Sequence, residues 1–215
     1  MNPVDPGGKT AAESETHAEQ VALLFEQSYH ALFTGLAIGL LLLVLLWQVQ
    51  DHTVLVGWYA VILVAGAVRL AVFQGYRRAS PEDRRWPGWE RRFVASATVY
   101  FLLWGLGAVY ITPADSYLHA VILMAILVGM AASALAIFSA NRRAQLLSMF
   151  SLLCPMLVWF ALQGDATSLL LAGGLTAFLV SVLRSSKVVV SALQENLQLK
   201  HSLLVAKSEA EALAR

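Results

Sequence analysis

Cysteine is nearly absent from this sequence: Cys154 stands alone among 215 residues. A single cysteine excludes an internal disulfide framework, a CxxC redox pair and a cysteine-based zinc site. Charge is scarce as well, at 13% of residues against about 25% in an ordinary soluble domain. The 15 Lys and Arg almost balance the 14 Asp and Glu, so no basic field exists to hold a nucleic acid. No catalytic signature is legible. What is abundant is apolar: 58% of residues are hydrophobic, and mean hydropathy is +0.65. These residues fall in long runs, which points away from a soluble domain. The strands of a membrane barrel would be about ten residues long and alternating, and the runs are neither. The expected fold class is an all-α membrane protein.

A hydrocarbon core of about 30 Å needs roughly 20 apolar residues in helix. Runs 31–49, 54–73, 93–111, 117–138 and 144–162 meet that length, and a shorter sixth run covers 168–183. The connection after the second run holds Arg77, Arg78, Arg84, Arg85, Arg91 and Arg92. The connection after the fourth holds Arg142 and Arg143, and the sixth run is followed by Arg184 and Lys187. The other three connections contain no Lys or Arg. The positive-inside rule then predicts six spans with both termini in the cytoplasm.

The first 30 residues start acidic, unlike a signal peptide. Thr10 and Glu13 have capping-box spacing. Val21, Leu24, Phe25 and Ser28 share a helical face. Residues 1–30 therefore read as a cytoplasmic tail and amphipathic helix, followed by a six-span domain over 31–187. In 188–215, Val189, Ala192, Asn196, Leu199, Leu203, Ala206, Ala210 and Leu213 are spaced alternately three and four apart. That is the a/d seam of a coiled coil, with Asn196 at an a position, where it favours a parallel dimer in fixed register. The heptads run to Arg215 without a stop signal, which predicts a further domain beyond.

This linker, SALQENL from Ser191 and AKSEAEA from Ala206, resembles the segment after the last span of bacterial sensor histidine kinases. Similar linkers precede GGDEF diguanylate cyclase domains. WERRF from Trp89, LWGL from Leu103, the Pro113-to-His119 turn and the stretch from Leu127 to Ala134 are similar to the six-span input regions of that group. The resemblance implies a homodimeric, multi-pass sensor of the bacterial inner membrane. Its output domain would be a kinase using ATP and Mg and signalling to a response regulator, or else a cyclase. This segment itself would need no cofactor. A small transporter or channel is the competing reading. It would require inverted repeats, broken helices or several buried charges.

Several residues are candidates for sensing. Asp115 and His119 are one helical turn apart near the outer end of span four, and would suit a cation, a proton or a small polar ligand. His52 and Asp51, then Asp165, lie on the same side. No two histidines share a ligand spacing, so no metal site is expected. Arg69 is the clear ionisable residue inside a span, and either marks a site or snorkels to the cytoplasmic headgroups. Trp104, Tyr100 and Trp159 lie deeper than the interfacial aromatics. With Ser96, Thr98, Ser151 and Cys154 at similar depth they suggest a pocket between spans three, five and six. Small-residue stripes at Gly35/Gly39, at Ala125/Gly129/Ser133 and at Gly173/Gly174/Ala177 predict close packing within the bundle. Pro155 predicts a kink in span five.

Overall fold

Six apolar helices form, one for each hydrophobic run. The computed structural model describes residues 6–113, 116–139 and 141–184. For residues 6–20 and Arg85 it describes the backbone alone. The helices are α1 (Pro6–Leu46), α2 (His52–Arg78), α3 (Gly88–Ile111), α4 (Tyr117–Ile137), α5 (Arg142–Gln163) and α6 (Ala166–Arg184). One 3-10 turn, Asp83–Arg85, precedes α3. No strand occurs among the described residues. Short connections make successive helices antiparallel, so the arginine-bearing connections and the end of α6 gather at one end of the bundle.

The polar residues of the short connections are used as caps. Asp51 Oδ1 accepts from the backbone N–H of Thr53 at 2.7 Å and of Val54 at 3.2 Å, opening α2. Asn141 accepts from the N–H of Ala144 at 2.9 Å, opening α5, while its side-chain amide donates to Glu90 in the first turn of α3 at 2.6 Å. Asp165 accepts from the N–H of Ser168 at 3.0 Å in the first turn of α6. Gly164, at φ 74°, closes α5 in the left-handed conformation that glycine adopts freely.

α1 differs from the expectation. It runs unbroken through residue 30, and its apolar, span-length stretch takes in residues 21–30 as well. The reason is packing. Val21, Leu24, Phe25 and Ser28 are buried in the bundle. Phe25 stacks on Tyr76 at 4.0 Å and meets Phe73, Trp89 and Phe93 edge-on. The face read as amphipathic thus belongs to the membrane bundle's own core. The seam residues Val189 to Leu213 lie outside the described residues.

α3 occupies the centre, between α2 and α5. Its stripe of Phe93, Ala97, Tyr100, Trp104 and Ala108 is buried. The closest approach is at Gly105. A Cβ there would stand 2.5 Å from the carbonyl oxygen of Leu152 and 2.7 Å from that of Ser151. Ser151 is the residue whose carbonyl loses its helical donor, because Pro155 has no N–H. The backbone of α3 therefore lies against the proline-weakened turn of α5. The small-residue stripes divide. Gly35 and Gly39 admit Tyr100, Tyr59 and Trp104. Gly129, Gly173 and Gly174 meet nothing within 4 Å, so no helix packs closely against them.

Gly105→Ala should force α3 and α5 apart and cost about 1–3 kcal/mol, the usual range for overpacking. Gly173→Ala should cost nothing comparable. Thermal unfolding of the two detergent-solubilised variants checks the contrast.

Candidate functional site

Leu55, Trp58, Ile62, Gly66, Arg69, Phe73 and Tyr76 form the buried stripe of α2. A cation thus sits in line with the helix's core-facing residues. Arg69 is 4% exposed and roughly 13 Å of helix from Arg78. Its side chain turns into the bundle, which corrects the reading that it snorkels to the headgroups. The guanidinium lies 5.3 Å from the ring centre of Phe73, 5.4 Å from that of Phe93 and 5.6 Å from that of Tyr100. Each cation–π contact is worth about 0.5–2 kcal/mol. Removing a guanidinium from water costs several kcal/mol, so the rings offset much of that cost.

They leave part of its hydrogen-bonding capacity unused. Arg69 Nη1 has no hydrogen-bond partner, nor do the buried hydroxyls of Tyr100 and Ser28. All three residues line a cavity of about 530 Å³ bounded by α1, α3 and α4. Gly35 belongs to the same wall, and a Cβ there would come within 2.8 Å of the Tyr100 hydroxyl. No Asp or Glu lines the cavity. The arrangement offers one cation and two unpartnered hydroxyls in a mostly apolar chamber, which suits an anion.

Of the expected site residues, Arg69 and Tyr100 meet at this cavity, and the others among the described residues do not line it. Trp104 is fully buried and meets Trp58 edge-on at 5.4 Å. Trp159 pairs with its neighbour Phe160 at 5.1 Å and does not line the Arg69 cavity. Ser96 and Thr98 donate back to their own helix, at 3.0 and 2.8 Å. Tyr100 thus opens towards α1 and α4 rather than towards α5 and α6. At the other end, His119 Nδ1 is 2.6 Å from the Ser116 hydroxyl, and Asp115 lies outside the described residues. His52 stacks on Trp47 at 4.1 Å and bonds the Trp47 carbonyl at 2.9 Å. Asp51 and Asp165 serve as helix caps. Among the described residues no group of three or more His, Cys, Asp or Glu could hold a metal ion.

Ser28 and Gln145 were not among the candidates. Ser28 was legible as part of the buried face of α1. Gln145 is fully buried and donates to the carbonyl of Leu135 at 3.3 Å, in the last turn of α4 where helical donors run out. Nothing in its apolar run distinguishes it from a surface glutamine.

Two outcomes follow from these environments. Arg69→Met should keep or raise the unfolding temperature in detergent, because a flexible apolar side chain fills the ring cage without a charge to desolvate. Arg69→Lys should lower it, since an ammonium is compact and strongly hydrated. At the capped end, backbone N–H groups of α2 hold the Asp51 carboxyl below its ordinary range, and the Ser168 side chain and backbone do the same for Asp165. A carboxylate with a lowered folded-state pKa stabilises fully above its ordinary value near pH 4 and loses that contribution as the pH falls through the lowered one. Asn at both positions should therefore flatten the acid limb of stability measured by circular dichroism. No family model, curated protein or solved structure matches the chain, so its function has to be read from these residues.

Proposed function

We propose that this chain is the membrane input module of a bacterial sensor, working as a homodimer in the inner membrane with both termini cytoplasmic. A stimulus taken up by the bundle shifts α6, and α6 passes the shift to an output domain beyond residue 215. A histidine kinase using ATP and Mg and serving a response regulator fits best, with a diguanylate cyclase the alternative output.

One observation carries this reading. α6 holds the bundle through Ala172, Leu175, Leu179 and Val182. Leu175 and Val182 are seven residues apart, and the series continues without a skip through Val189, Asn196, Leu203 and Ala210. The buried stripe of α6 therefore shares, in the sequence, the heptad register of the proposed seam. A rotation or tilt of α6 within the bundle would re-aim that seam, which is the mechanical requirement for signalling through a coiled coil. The transporter reading gains less support: Arg69 is the buried charge among the described residues, and each spanning helix is continuous.

Four measurements test the proposal. Cysteine at Ser116 should react with a membrane-impermeant reagent from the periplasm, and cysteine at Ser80 should not. The reverse pattern overturns the topology. Single cysteines at Leu199, Leu203 and Ala206 should crosslink between chains strongly, and those at Gln198, His201 and Ser208 weakly. Uniform or absent crosslinking removes the parallel dimer. Asn196→Leu should keep the dimer yet blunt the response of the intact protein. His119→Ala tests the outer-end candidates: an unchanged response across pH would remove Asp115 and His119 from the sensing mechanism.

A further inference from the structure

We infer that the cavity bounded by α1, α3 and α4 binds an amphiphile made of one anionic head and one medium-length apolar chain. Arg69 pairs with the head, and the hydroxyls of Tyr100 and Ser28 complete its hydrogen bonds. As the stimulus site of a sensor this rests on the reading above; as a binding site it stands on the cavity itself.

The head group follows from the donors. A guanidinium carries five N–H donors in a planar fork that matches a carboxylate or phosphate. Three rings cover the charge of Arg69 but accept few of those donors, and Nη1 has no partner. No Asp or Glu lines the cavity to neutralise it. Inside hydrocarbon an unpaired cation is costly, so an arriving anion gains an attraction unscreened by water.

The chain follows from the gradient along the walls. α1 lines the cavity from Gln27 to Leu41, roughly 21 Å of helix. The end nearer the arginine-rich connections presents Gln27, His30 and Thr34, and the other end presents Ile38, Leu41 and, from α4, Ile126. A volume of about 530 Å³ is that of a small-molecule site and holds one chain rather than the two of a phospholipid. The way in follows from exposure. Leu41 is 62% exposed, and Gly129 and Ser133 on α4 are exposed as well. The cavity thus opens sideways between α1 and α4, where lipid chains lie, and a ligand enters from the bilayer.

Binding to the full chain in a nonionic detergent provides the test, with decanoate, decyl phosphate and decanol as probes, read by titration calorimetry and by shift of the unfolding temperature. The native chain should bind decanoate or decyl phosphate saturably, one per chain, at least tenfold more tightly than decanol. Arg69→Gln should abolish that preference, as should Arg69→Met, whose folding the ring cage favours. Gly129→Leu should block all three probes, because a side chain at that open position projects into the chamber without meeting another atom within 4 Å at its Cβ. Equal binding of decanol and decanoate overturns the inference. So does a charge preference that survives loss of Arg69, or binding indifferent to Gly129→Leu. Nanodiscs with and without phosphatidylglycerol separate the sources. Displacement of decanoate by that lipid identifies a resident headgroup as the anion, and no displacement identifies a free amphiphile. An intact receptor that binds decanoate but gives unchanged output removes the sensor reading and leaves the site.

Discussion

A guanidinium enclosed by hydrocarbon is the constraint around which the bundle is arranged. Arg69 lies on the stripe of α2 that faces its neighbours, so the fold has to bring compatible groups to it. α3 supplies Phe93 and Tyr100 two turns apart on its own buried stripe, and Phe73 follows one turn later on α2. α1 supplies no bulk where Tyr100 reaches it, only Gly35. The continuity of α1 belongs to the same arrangement, since Phe25, well before the expected start of the span, closes the aromatic cluster against Tyr76 and Phe93. Removing water from around the charge is expensive, and these rings are what make its position tolerable.

The two ends of the bundle are built differently. At the arginine-rich end, cations are held by faces and carbonyls. Arg84 donates to the carbonyls of Tyr76 and Arg77, and Arg92 lies over Trp86 and Trp89. Trp89 in turn donates to the Asp83 carbonyl at 3.0 Å. Arg84 and Arg92 of that connection are therefore held against its own carbonyls and rings. At the opposite end, acids and small polar residues cap helices. Asp51, Ser116 and Asp165 each sit at a helix entry, and the Tyr117 hydroxyl helps hold Asp165. Asp51 and Asp165 are thus occupied with helix termini, while the Ser116 hydroxyl bonds His119, and no clustering in the sequence would have distinguished these uses from a ligand site.

The helices themselves were legible, because twenty apolar residues in a row admit few alternatives. Their ends were less so. Run 31–49 leaves out Leu24, Phe25 and Ser28, which are buried, since Glu26, Gln27 and His30 on the other face lower local hydropathy. Hydropathy averages over a helix's circumference, whereas burial is a property of one side. Arg69 illustrates the converse. Its position as an intramembrane charge was evident, and its direction was recoverable from the 3–4 spacing it shares with Ile62, Phe73 and Tyr76. The partners across the bundle were not recoverable. Which of Tyr100's neighbours would be close depends on Gly105 meeting α5, a contact between residues far apart in the chain that carries no local signal.

That contact sets how the molecule can deform. At Gly105 backbone meets backbone, with no side chain between α3 and the carbonyls of Ser151 and Leu152 to rotate or compress. A joint of this kind resists sliding, so α3 and α5 form a stiff frame. α1 and α4 close upon one another only lightly, through side chains and across the chamber beside Arg69. Compliance is therefore concentrated on one flank, with the rigid pair acting as a fulcrum. A wedge entering between α1 and α4 would therefore act on the lightly closed flank and not on the α3–α5 pair.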